Sequence, residues 1–292
     1  MFYRYFLRRY IWASRCNWWA ARFAQCRSPN EGNLRRVSVD GLMFYQFEHL
    51  ASRADVAHGI FTRLGGVSAP PWASLNLSRS GGDNPEAVAE NNRRMLTALG
   101  LVPGQTVSAW LNHGSRVAIV GPQHLGAALR ETDAMLSSTP GLALSMRFAD
   151  CVPVLFHDAT RGVVGIAHAG WPGVAANIVG VTVRAMQDAF GCRPRDVWAG
   201  IGPAIRFECY EFGRDLAQRI VAACPPGTLV IVPRSDGTIH LDLIAAVQSQ
   251  LETAGVGDIE DSGICTACHT DEWFSHRAEK KTGRFGVVLG LS

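Results

Sequence analysis

The stretch Arg147–Gly173, RFADCVPVLFHDATRGVVGIAHAGWPG, gathers residues able to do chemistry, with Cys151 and His168 each at the end of an apolar run. A sulfur and an imidazole facing one pocket suit zinc or copper. A cysteine with a histidine base is also the pairing of a nucleophilic hydrolase. Either chemistry requires the two runs to be neighbours. VPVLF and VVGIAH are short, apolar and separated by the turn-forming HDATRG, so they read as buried strands joined at Asp158–Gly162. AGWPG then turns the chain before a helical pattern begins.

Other candidates are weaker when taken singly. His113, in SAWLNHGSRVAIVG, stands at the entrance to a strand, where a lone histidine is more often structural than a ligand. Arg63 in FTRLGGVS and Asn76 in LNL are residue types that hold an anion or a sugar hydroxyl, although loops rich in Gly and Pro usually serve geometry alone. Asp150, just before Cys151, is a candidate substrate-binding carboxylate. CTACH at Cys265–His269 matches a haem-attachment pattern, but no export signal accompanies it. It also lacks the second C-x-x-C of a structural zinc site, so free, partly buried thiols are the preferred reading.

The elements that must position these residues alternate along the chain. Asn84 and Pro85 begin a helix that Gly100 ends, with Asn91 and Arg94 mostly on its polar side. VAANIVGVTVRAMQDAFG is a helix stopped by Gly191, DVWAGI a strand, and RFECYEFGRDLAQRIVAAC leads into another helix. TLVIVP is a strand, LDLIAAVQSQLETAG a helix closed by Gly255, and FGVVLGL a final strand. No repeat and no long linker interrupts residues 40–292, which therefore form one domain.

With 292 residues, 47% hydrophobic and 18% charged, the composition is that of a soluble globular protein. Eight scattered cysteines point to a reducing compartment, the cytoplasm. The net charge of +3 resides largely in the N-terminus and implies no nucleic-acid surface, and no apolar run is long enough to span a membrane. The first thirty residues hold no Asp or Glu and include Trp12, Trp18 and Trp19, so residues 1–39 read as a basic extension outside the fold, in preference to a targeting peptide.

In combination the motifs resemble the YfiH or laccase-domain family, whose members are described as polyphenol oxidases and purine nucleoside phosphorylases. From about residue 56 to 290 the family's order is followed by FTRLGGVS, LNL, GDNPEAV, the HG at His113, ADCVPVLF, HAGW, GPAI with CYE, CT at Cys265, and FSHR before TGR. The resemblance implies a mixed α/β, α+β single domain of four layers, α/β/β/α, rather than a doubly wound parallel sheet. It also implies His113, Cys151 and His168 as metal ligands, with zinc expected and copper the alternative. The implied substrates are purine nucleosides and phosphate, with adenosine deamination or methylthioadenosine cleavage as further activities. Arg63 would then contact phosphate and Asn76 ribose or phosphate, in a monomer or small homo-oligomer. Competing readings are a copper polyphenol oxidase, a cysteine hydrolase editing peptidoglycan precursors, and a non-catalytic metal-binding protein. Two departures stand out. Leu111 replaces a family glutamine and Pro172 the arginine of HAGWRG, a loss for which Arg147 is the candidate compensation.

Overall fold

The structure, a computed structural model, describes residues 33–292. Expectations about the basic extension before Asn33 lie outside the described residues. In chain order the strands are β1 (Leu34–Val39), β2 (Leu42–Phe47), β3 (Val56–Phe61), β4 (Thr106–Trp110), β5 (Val117–Ile119), β6 (Ala128–Arg130), β7 (Ala134–Ser137), β8 (Ala143–Phe148), β9 (Val152–Asp158), β10 (Val163–Ala169), β11 (Trp198–Ile201), β12 (Ile231–Pro233), β13 (Ile239–Leu241), β14 (Asp258–Asp261) and β15 (Phe285–Leu291). The helices are α1 (Glu48–Ala51), α2 (Pro85–Ala98), α3 (Trp171–Ala175), α4 (Ile178–Phe190), α5 (Arg214–Ala222), α6 (Leu243–Thr253) and α7 (His276–Glu279).

Two mixed sheets form the middle of the molecule. One runs β1-β2-β3-β15-β8-β4-β6 and the other β14-β11-β9-β10-β7-β5, while β12 and β13 pair separately. Most neighbours are antiparallel; β8-β4, β4-β6, β11-β14 and β7-β5 are parallel. Strand alternation sorts the side chains into layers. Phe47, Ile60, Met146 and Val287 of the first sheet meet Leu155, Val164, Ile166 and Trp198 of the second in an inter-sheet core. The opposite face of the second sheet presents Val152, Val154 and Phe156 to Ile178, Val183 and Leu251 of α4 and α6. Met95 and Leu96 of α2 cover Phe44, Phe61 and Val288 on the outside of the first sheet. These are the four layers, α/β/β/α, expected from the resemblance.

Three local expectations change. The domain starts before Asp40, because β1 pairs along its whole length with β2. The helix expected from Val174 to Phe190 is broken by Asn177 at φ +56, whose side chain then caps Gly180 N. Asn91, assigned to the polar side of α2, is fully buried: its amide donates to Ser68 Oγ and to the carbonyls of Ser74 and Asn76, and its oxygen accepts from Val67 N. Asn84 caps α2 as expected, accepting from Glu86 N and Ala87 N. Among the described residues no helix is long and apolar enough to cross a membrane.

Candidate metal centre and substrate cavity

Cys151 and His168 meet because of strand period. β9 and β10 form an antiparallel hairpin in which His168 lies opposite Pro153 and Ala169 opposite Val152. Alternation then puts His168 on the face of Val164 and Ile166, and Cys151 on that of Leu155, both toward the inter-sheet space. His113 arrives from the loop between β4 and β5. The ligand atoms of the three residues lie within 4.8 Å of one another, with the His113 and His168 rings edge to face at 4.8 Å.

The loops carrying two of these residues are held in left-handed backbone. His113 has φ +57, and the Asp133 carboxylate accepts from the backbone N–H of Asn112, His113 and Gly114. Asp133, at 0% exposure, also stands 3.3 Å from His168 Nδ1, leaving Nε2 as that ring's free donor atom. One buried carboxylate thus orients the His168 imidazole and holds the backbone loop that carries His113. Asp150 has φ +84 just before Cys151, and its carboxylate accepts from Thr266 Oγ1 at 2.7 Å and Arg277 N at 2.6 Å. Strained backbone at both positions is over-determined by these bonds. Gly170 closes the floor, since a Cβ there would come within 3.1 Å of Cys151 Sγ and 3.2 Å of the His113 ring.

The donor chemistry fits a soft or borderline divalent metal. Burial alone would raise the Cys151 thiol, but His168 and His113 outweigh it and pull the thiol below its usual range. Burial likewise disfavours the His168 imidazolium, and the facing Cys151 thiolate, with Asp133, more than reverses this. A thiolate and two oriented imidazoles leave a fourth tetrahedral position for substrate or water.

The site opens into a cavity of about 820 Å³ whose lining includes His113, Cys151, His168, Arg79, Arg147 and Arg284. Arg147 donates to the Ala109 carbonyl and Arg284 to the carbonyls of Thr282 and Gly283. Among the described residues neither forms an ion pair with a carboxylate. Burial lowers both guanidinium pKa values; the neighbouring positive Arg79 lowers Arg147 further, whereas Cys151 and Asp150 partly restore Arg284. Leu111, Trp110 and Phe148 supply an apolar wall.

Arg63, Asn76 and Asp150 are not part of this lining. Arg63 donates to the carbonyls of Ala73 and Thr270, pairs with Glu279 at 2.8 Å and lies 4.4 Å over the Phe274 ring. The fold thus engages its Nε and Nη1, and the side chain lies outside the cavity where the phosphate contact was expected. Asn76, 1% exposed, donates to Asp83 and to the Ser78 carbonyl, and accepts from Ser78 N and Arg284 N. It therefore stands behind the cavity wall and positions the segment carrying Arg284. Pro172 sits in the first turn of α3, away from the cavity. The residues that single-motif reading missed are Asp133 and Arg284. An aspartate directly ahead of the apolar run AMLS was the available signal for the first; the second is the arginine of the TGR motif, which stands in the family order without an assigned role. In CTACH, Cys265 is free and buried, but Cys268 is disulfide-bonded, which corrects the all-thiol expectation there.

Two inner sheets flanked by helices, with a His–Cys–His centre at the end of the inter-sheet space, define a four-layer metal-site enzyme. The model of the family described as multi-copper polyphenol oxidoreductase laccase matches residues 57–292, and the chain belongs to this YfiH, laccase-domain family. A Streptomyces griseus protein named purine nucleoside phosphorylase is 42% identical over 239 residues, covering 80% of this chain and 94% of the relative. A Deinococcus radiodurans protein of the same name is 41% identical over 256 residues, covering 87% and 95%. Among solved structures, YlmD from Geobacillus stearothermophilus superposes with TM-score 0.84 at 31% identity, covering 89% of this chain and 99% of that one. YfiH from Bacillus licheniformis gives 0.83 at 32% identity, with the same coverage.

Proposed function

We propose that the protein is a zinc-dependent purine nucleoside phosphorylase that converts inosine, guanosine or adenosine and phosphate into free base and ribose 1-phosphate. The observation that carries this reading is the cavity joining the His113–Cys151–His168 group to Arg147 and Arg284, two half-buried guanidiniums with no carboxylate partner among the described residues. Two half-buried cations without a carboxylate partner favour a dianion, and guanidinium matches phosphate with paired donors. The names carried by the relatives support the same substrates.

Arg147 and Arg284 bind the phosphate and aim one oxygen at the anomeric carbon of the ribose. The bond from that carbon to the purine nitrogen breaks as the new C–O bond forms, and the base leaves with the bonding pair and takes up the proton that hydrogen phosphate gives up. Trp110, Leu111 and Phe148 exclude water from the base. Asp133 fixes the His168 imidazole and the backbone loop carrying His113, which limits reorganisation of the ligands during the reaction. When bound at His113, Cys151 and His168, a divalent ion supplies Lewis acidity, which also accounts for adenosine deamination as a second activity.

The lowered Cys151 thiol also suits nucleophilic hydrolysis, which a metal-free enzyme would perform and a metal-loaded one would not. The deciding experiment combines metal analysis with hypoxanthine release from inosine, with and without phosphate. Release should require both metal and phosphate. Oxidation of phenols without any base release would overturn the proposal, as would activity confined to chelator-treated protein.

A further inference from the structure

A second cluster of metal-binding side chains lies at the far edge of the second sheet. His49 in α1, Asp258 and Glu260 present ligand atoms within 4.8 Å of one another. Asp258 and Glu260 are two apart on β14, so strand period turns both to one face. β14 is the edge strand of its sheet, whereas α1 directly follows β2 of the other sheet. The three residues therefore bridge the two sheets.

The surroundings hold the donors in place without satisfying them. His49 stacks on the Trp198 indole at 4.7 Å with the rings 1° from parallel. Trp198 Nε1 donates to Glu260 Oε1 at 2.9 Å, fixing that carboxylate, yet Glu260 Oε2 is buried without a hydrogen-bond partner. His157, 1% exposed, places Nδ1 3.4 Å from His49 Nε2 and orients that ring. Neither Asp258 nor Glu260 forms an ion pair among the described residues, although Arg53 lies near His49. Burial raises the Glu260 carboxyl, and the negative charges of Asp258 and Glu48 raise it further. An orphaned buried carboxylate oxygen beside a second carboxylate and an oriented imidazole is a donor set of the kind that holds a divalent cation.

We infer that His49, Asp258 and Glu260 form a second site, for a divalent first-row transition metal ion, that clips α1 to β14 and so ties the two sheets together at this edge. One imidazole and two carboxylates favour zinc or manganese over magnesium, which prefers oxygen alone and retains its waters. His157 and Trp198 act as the outer partners that orient metal ligands. The site is independent of Cys151 and of the proposed phosphorolysis.

The test uses the full chain carrying Cys151→Ala, freed of metal and titrated with zinc by calorimetry. Zinc should bind, raise the melting temperature, and resist competition by millimolar magnesium. Adding Glu260→Gln should remove one equivalent or weaken it at least about tenfold, since even outer partners contribute that much to affinity. Asp258→Asn, at an exposed position, provides the same comparison in a variant whose folding is not at risk. In the chain with Cys151 intact, Glu260→Gln should leave nucleoside turnover within twofold. Zinc binding unaffected by both substitutions would overturn the inference, and so would equal competition by magnesium or the absence of zinc binding to the Cys151→Ala protein.

Discussion

The hairpin of β9 and β10 and the segment from Arg63 into α2 at Asn91 look alike as sequence: each sets polar residues of catalytic type among glycines, prolines and apolar runs. Their hydrogen bonding is opposite in kind. In that segment, Arg63 Nε and Nη1, Asn76 and Asn91 are directed at backbone and neighbouring side chains. At the hairpin, Cys151, His168 and the nearby Arg147 and Arg284 keep capacity directed into a cavity. A saturated polar group builds structure, and an unsaturated one in a cavity binds ligand.

The largest effect that would sharpen this contrast is at Cys151. Cys151→Ala should lower nucleoside turnover by at least about a thousandfold, roughly 4 kcal/mol, while the protein remains folded. It should also abolish thiolate-to-cobalt charge-transfer absorption in cobalt-loaded protein. Retention of that absorption would remove Cys151 from the metal.

The converse holds for the loop. Asn91→Ala strips the partners of Val67 N and of three amide hydrogen bonds in a buried place, so stability in urea should fall by about 3 kcal/mol or more. The folded fraction should keep its KM. A large KM change without loss of stability would break the comparison, because Asn91 would then belong to the binding surface.

The two arginine sets offer a direct exchange. Arg147→Lys should raise the KM for phosphate about tenfold to a hundredfold, equivalent to about 1.5 to 3 kcal/mol for a charge-assisted contact. Arg63→Lys should lower the melting temperature and leave that KM within about twofold, since the Arg63 guanidinium serves the carbonyls of Ala73 and Thr270. The reverse pattern would return the anion site to Arg63.

The smallest effect concerns a buried group outside both regions. His58 is 1% exposed and neither ring nitrogen has a hydrogen-bond partner. Burial, helped by the charge of Arg35, lowers it to about 3, and the Phe47 carbonyl opposes this too weakly to matter. The unfolded chain therefore binds the proton first as pH falls below about 6.5. Stability is complete above that pH and declines below it, by about 2 kcal/mol at pH 5. In His58→Leu the slope of urea midpoint against pH between 7 and 5 should flatten by this amount; an unchanged slope would place the acid sensitivity elsewhere.

Much of the fold was legible because local physics fixes it. Apolar runs of five to seven residues bounded by turn chemistry became β9, β10 and β15, and Asn84 with Pro85 started α2 where capping requires. The failures have equally local causes. Asn177 in left-handed conformation interrupts a helix whose apolar pattern runs straight through it. Asn91 has the residue type of a polar face, but the loop from Val67 to Asn76 folds over it.

The sequence by itself determined the strand and helix periods, the pairing of Cys151 with His168 through one short turn, and the ordered motifs that mark the family. A period of two suffices to put two side chains of adjacent strands on one face. Only the tertiary structure decided which polar residues remain available. Asp133 serves both histidines because β7 lies beside β10 and the loop after β4 passes over it. Arg284 reaches the cavity from the end of the chain, while Arg63 is satisfied by Glu279, 216 residues away. Saturation of a donor depends on partners brought from distant sequence, and spacing along the chain carries no record of them.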